Sequence, residues 1–162
     1  MKEVLIIRSA SFQQLDQNLG ALEAKFAGCR ISMLTHEHGV KLAEKYKNIS
    51  HIYIYPFVGG FNYRNKTREL RDKEFDAVII PVTNVSGAGF FNVMLFSLTF
   101  MTKKRIVCNL VSDMREISKL DILGMGLKSF ILSGLAKVLS TLFGVFVVAL
   151  LPAKLKALEK KD

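Results

Sequence analysis

The sequence predicts an α/β protein: a Rossmann-like three-layer domain with about five parallel strands in the order 3-2-1-4-5, followed by an apolar C-terminal helical segment. Three observations carry this. Residues 1–35 read as strand, helix, strand, the βαβ seed of a parallel sheet. Short apolar runs then alternate with helical stretches as far as Leu110. From Ile122 to Leu151 the chain is apolar, with only small residues, Lys128 and Lys137 breaking the run.

The elements follow in order. Val4-Leu5-Ile6-Ile7 is a β-branched run, as expected of a strand buried on both faces. After the polar turn Arg8–Gln14, the residues Leu15, Leu19, Leu22 and Phe26 recur at helical spacing. Gly28 can take the left-handed conformation that ends a helix. Ile31–Leu34 is the second strand, Thr35–Gly39 a loop, and Val40, Leu42, Ala43 and Tyr46 begin a short helix that ends near Lys47-Asn48. Ile49–Tyr55 is the third strand, rich in β-branched and aromatic residues. The loop Pro56–Lys66 holds Gly59-Gly60 with Phe57, Phe61 and Tyr63. Thr67–Lys73 reads as a charged helical stretch anchored by Leu70. Phe75–Pro81 is the fourth strand, Val82–Gly89 a turn, and Phe90–Met101 an apolar helix. Lys103-Lys104-Arg105 precede a fifth strand, Ile106–Leu110. The expected domain division is 1–112 and 113–162.

Residues 130–151 number 22, enough to cross a bilayer core of roughly 20 residues. Lys137 near the middle would cost about 2.5 to 3.5 kcal/mol. Pro152 is expected to end the segment, and Lys154, Lys156, Lys160 and Lys161 form a basic tail that prefers a cytoplasmic, anionic surface. A cytoplasmic domain before the segment and a cytoplasm-preferring tail after it favour a helix lying in, or dipping into, one leaflet over a full span.

A net charge of +9 points to an anionic partner. Two cysteines, Cys29 and Cys108, are too few for a disulfide framework and imply a reducing, cytoplasmic setting. The N-terminal run is too short for a signal peptide. Nucleic-acid binding is disfavoured, since the aromatic residues lie in strands and apolar helices and are not interleaved with the basic ones.

In open α/β sheets ligands bind beyond the C-terminal strand ends, where the strand order reverses. That point lies between the first and fourth strands. It assembles Arg8, Ser9, Ser11 and Gln14 with Asn84, Ser86, Gly87 and Gly89 as candidate acceptor- or anion-binding residues. Both loops precede helices, whose N-terminal amides suit phosphate. Neither loop holds an acid or a histidine, so no catalytic residue is assigned. His36 and His38 form a His-x-His pair without an evident third ligand, so no metal is expected, and no cofactor motif is present.

Val4-Leu5-Ile6-Ile7-Arg8, the polar turn, and a helix leading into Phe26-Ala27-Gly28-Cys29-Arg30-Ile31 resemble the N-terminal half of heptosyltransferase-like family 9 glycosyltransferases, which have the GT-B fold. Ile31–Thr35, Ile49–Ile52 and Leu70–Ile79 extend the likeness to roughly residues 1–110. The resemblance implies the acceptor-side half of such an enzyme, acting in cell-envelope glycan or lipopolysaccharide-type assembly. Two departures qualify it. Gln13-Gln14 stands where the family has Gly-Asp, whose aspartate is its expected base. The donor-binding second domain is replaced by the apolar segment. The expectation is a membrane-associated, glycosyltransferase-like protein at the cytoplasmic face, taking a phosphorylated lipid-linked acceptor and working with a separate donor-binding subunit. A non-catalytic membrane scaffold or anionic-lipid binder is the alternative.

Overall fold

A computed structural model describes residues 2–159. Its sheet has six strands: β1 (Glu3–Ile7), β2 (Arg30–His36), β3 (His51–Tyr55), β4 (Glu74–Pro81), β5 (Met101–Cys108) and β6 (Met114–Glu116). The spatial order is β3-β2-β1-β4-β5-β6. The first five strands are parallel, as the sequence predicts; β6 adds an antiparallel edge, with Ile106 opposite Glu116 and Cys108 opposite Met114.

Alternation along the central strands separates two cores. Val4, Ile6, Met33, Ala77, Ile79 and Ile106 pack with Leu15 and Leu22 of α1 (Phe12–Lys25) and with Ala43 of α2 (Val40–Ala43). On the opposite face Tyr55 meets Phe96 of α3 (Phe91–Ser97) edge-on, with ring centroids 5.5 Å apart. Helices on both faces of a sheet whose central strands are buried along Val4–Ile7 and Ala77–Pro81 make the three-layer Rossmann-like arrangement. Gly28 has φ +75°, the left-handed conformation expected just past α1.

Several boundaries differ from the sequence reading, each for a local reason. The buried stripe of α1 is Gln14, Leu15, Asn18 and Leu22, with Leu19 and Phe26 only half-buried. The stretch 67–73 forms one 3-10 turn, Arg68–Leu70, pinned by the buried Leu70. The apolar helix ends at Ser97. The guanidinium of the buried Arg105 donates to the carbonyls of Ser97 (3.2 Å) and Phe100 (3.0 Å), holding the turn that follows. This frees Met101–Arg105 to extend β5, so Lys103 and Lys104 lie within the strand. There they pair with Asp76 at 2.7 Å and Glu116 at 3.1 Å. The Lys103 ammonium and the Glu3 amide hold the Asp76 carboxyl below the usual carboxylate range.

After β5 the chain reverses in a hairpin. Asn109 Oδ1 accepts from the amides of Val111 (3.0 Å) and Asp113 (2.9 Å), and Ser112 takes a positive φ of 61°. This turn makes β6, which apolar periodicity could not announce: its three residues are Met, Arg and Glu.

The chain divides into two units at Leu123 and Gly124, so the sheet-bearing unit runs past residue 112, where the sequence reading placed the boundary. Helix α4 (Lys119–Glu159) begins inside the first unit. Ser118 and Asp121 form a reciprocal capping box: Asp121 Oδ2 accepts from the Ser118 amide at 2.8 Å, and Ser118 Oγ from the Asp121 amide at 3.1 Å. The flanking Ile117 and Ile122 are both buried. The second unit, taken by itself, is helix. Its large apolar side chains from Leu127 to Val148, Val147 apart, are exposed. It passes through Pro152, where the sequence reading ended it. Of the basic tail, Lys160 and Lys161 lie outside the described residues.

Candidate functional site

An open cleft of about 1050 Å³ lies beyond the C-terminal ends of β1, β2 and β3. Three segments and Val93 of α3 line it: Arg8–Ser11 after β1, His36–His38 at and after the end of β2, and Ile54–Phe61 at and after β3.

Arg8 is the cation of the cleft. Its backbone amide continues the parallel ladder by donating to Leu34 O at 2.9 Å, which sets the side chain at the mouth of β2. There Nε donates to Thr35 Oγ1 at 2.7 Å, and the guanidinium carbon stands 5.0 Å from the Phe12 ring centroid. The ring face favours a cation. Nη2 lies 3.4 Å from His38 Nε2, which can only accept from an arginine. Arg8 makes no ion pair with a carboxylate among the described residues. Partial burial pulls its pKa below the ordinary arginine value. A half-desolvated cation without a carboxylate, opening onto a cleft, is an anion site in waiting.

Ser9 and Ser11 also line the cleft. The Ser9 hydroxyl donates to Pro81 O at 2.5 Å, tying the loop after β1 to the end of β4. Ser11 is the N-cap of α1, its Oγ accepting from the Gln14 amide at 3.2 Å.

The lining contributed by the end of β3 and the loop after it is aromatic. Tyr55 meets His36 at 5.1 Å, Phe57 at 5.2 Å and Phe61 at 4.8 Å between ring centroids. His36 Nε2 stands 2.7 Å from Gly59 O; a carbonyl only accepts, so Nε2 is the donor. The other ring nitrogen, Nδ1, is buried without a partner among the described residues. The Asn62 amide donates to Tyr55 Oη at 3.2 Å, so two bonds fold the Gly59-Gly60 loop over the strand ends.

The remaining residues singled out from the sequence fall elsewhere. Gln14 is buried, its amide donating to Asn18 Oδ1 at 3.1 Å and Leu110 O at 3.2 Å. Its polar group holds α1 to the β5–β6 turn. Asn84, Ser86, Gly87 and Gly89 do not line the cleft. Their loop closes on itself. Asn84 accepts from the Gly87 amide at 2.5 Å and donates to Ala88 O at 2.7 Å, and Ser86 Oγ accepts from the Ala88 amide at 3.3 Å. Gly87 and Gly89 serve positive φ values of 75° and 84°, a need of the turn itself.

The residues that sequence reasoning missed are His36, Glu37, His38, Tyr55, Phe57 and Phe61. The topological rule points to the β1–β4 junction, whereas the cleft opens on the β1–β2–β3 side. The available signal was the loop Pro56–Lys66, where paired glycines adjoin three aromatic residues. Glu37 is the one carboxylate lining the cleft.

No protein-family model matches the chain, and no curated protein matches it. Among solved structures it is similar to the E. coli heptosyltransferase WaaC with ADP, with 15% identity and a TM-score of 0.44 over 66% of this chain and 35% of that one. The chain thus spans about a third of the length of that structure.

Proposed function

We propose that this chain is a membrane-associated, glycosyltransferase-like protein whose sheet-bearing unit holds a phosphorylated, lipid-linked acceptor in the cleft beyond β1–β3. One observation carries the reading: Arg8, unpaired by any carboxylate among the described residues, lines one open cleft together with Tyr55, Phe57 and Phe61. An arginine fork matches phosphate, and Phe57, the exposed ring of the three, offers an aromatic face to the apolar side of a sugar ring. The apolar exterior of α4 supports placing the acceptor's lipid and this unit at one membrane, on its cytoplasmic face. The resemblance of residues 1–110 to the acceptor-side half of family 9 glycosyltransferases points the same way, with the donor supplied by a separate subunit.

A second reading, a non-catalytic scaffold or anionic-lipid binder, is favoured by one observation. Gln14, which stands in the place of the family's aspartate, is engaged in packing α1, and Glu37 is the one carboxylate in the cleft among the described residues. Titration of the detergent-solubilised full chain with glucose 1-phosphate and with glucose tests the site. The phosphate ester is expected to bind and glucose to bind far more weakly. Arg8→Ala should weaken phosphate-ester binding about 10- to 100-fold, since a hydrogen bond to a charged group contributes about 1.5 to 3 kcal/mol. Equal binding of the two sugars, or no effect of the substitution, would overturn the assignment.

A further inference from the structure

We infer that α4 crosses the bilayer as one continuous span. This rests on the membrane reading above and departs from the in-plane or dipping helix that the basic tail favours. Each alternative demands a feature that α4 lacks. A helix lying in the interface needs one polar face and one apolar face. Lys128 and Lys137 are nine residues apart, which at about 100° per residue sets them on opposite sides of the helix. Exposed apolar side chains also occupy more than half of it: Leu127, Phe130, Ile131, Leu132, Leu135 and Val138 spread over about 200° of its circumference. A segment that dips in and returns needs a break where the chain turns back. Helix α4 runs from Lys119 to Glu159 without interruption.

Length and composition fit a span. The stretch Lys119–Val148 has 30 residues and a mean hydropathy of 2.0 in its most apolar window. At 1.5 Å per residue it reaches about 45 Å, against about 30 Å for a hydrocarbon core. Residues 130–148 hold twelve Leu, Ile, Val or Phe against the single Lys137, so insertion is favourable overall. Lys128 lies near one boundary, where its stem can carry the ammonium out to the headgroups. An exposed helix that carries large apolar side chains over more than half its circumference and a single lysine on the remainder has two fates, hydrocarbon or burial in an assembly; residues 130–148, about 28 Å of helix, match the hydrocarbon core and favour the first.

Sidedness in native membrane vesicles tests this. Lys47→Cys and Asp162→Cys are placed separately in a full-length Cys29→Ser background, leaving the buried Cys108 in place. Each is labelled with an impermeant maleimide from one side, then the other. Before labelling, the vesicles are washed with alkaline carbonate. Retention through the wash with the two cysteines on opposite sides is the expected result. Retention with both cysteines on one side overturns the span and leaves membrane association standing. Release into the wash, or recovery as a soluble oligomer, overturns the span and the membrane reading together.

Discussion

Gly39 closes against the guanidinium of Arg8: a β-carbon built on Gly39 would stand 3.3 Å from Arg8 Nε and would overlap Thr35 Oγ1. The backbone of Gly39, at φ −91°, is open to any residue. Its lack of a side chain is therefore a matter of space. Thr35 is buried on a β-branched stem and cannot yield.

Gly39→Ala should therefore push Arg8 off Thr35 while leaving the charge in place. Phosphate-ester affinity is expected to fall about tenfold, the lower end of the loss of a charged hydrogen bond. Calorimetric titration checks this, and Arg8→Lys should show a comparable loss because lysine lacks the fork. An alanine variant that binds as the parent does would detach Gly39 from the site.

Gln14 offers the contrasting case. Gln14→Leu removes the bonds to Asn18 and to the Leu110 carbonyl and leaves both without their partner at the β5–β6 turn. Stability should drop by about 1 to 3 kcal/mol, measured by urea unfolding, with phosphate-ester binding unchanged. A binding loss at full stability would return Gln14 to the ligand.

The two cysteines should differ sharply in reactivity. Burial pushes the Cys108 thiol up to about 11, whereas Cys29 is partly exposed. The thiolate is the reactive form, so at pH 8 only about one Cys108 in a thousand is ionised. Iodoacetamide at pH 8 should modify Cys29 alone in the folded chain and both residues in denaturant; mass spectrometry of tryptic peptides reads this directly. The sign follows from the raised value. The neutral thiol is the form the fold favours, so Cys108 contributes its stability below the unfolded thiol value and loses it as pH climbs through 11. Rapid native alkylation of Cys108 would contradict its burial in the core at the end of β5.

Much of the sheet could be read from the chain because buried parallel strands write themselves as apolar runs. Val4–Ile7 and Phe75–Pro81 need no partner to be recognised. The order of the five parallel strands followed from the connections between them. What escaped was set by contacts distant in sequence. Lys103 and Lys104 look like a loop until Asp76 and Glu116 are placed beside them. Ser112 gives no sign of its positive φ; its hydroxyl donates to Asn18 Oδ1 at 3.0 Å, 94 residues away. In the cleft, Arg8, Ser9 and Ser11 were accessible from their place after β1. The histidines and the aromatic wall were not, because the loop after β3 must fold back through the His36–Gly59 bond before they line one cleft with Arg8.

The clustering of Tyr55 with His36, Phe57 and Phe61 has an optical consequence. The chain contains four tyrosines and no tryptophan, so its near-ultraviolet emission comes from tyrosine alone. Tyr55 belongs to the cleft wall itself, and a molecule settling there alters the surroundings of one emitter in four. The unmodified protein thus carries its own fluorescent reporter of occupancy.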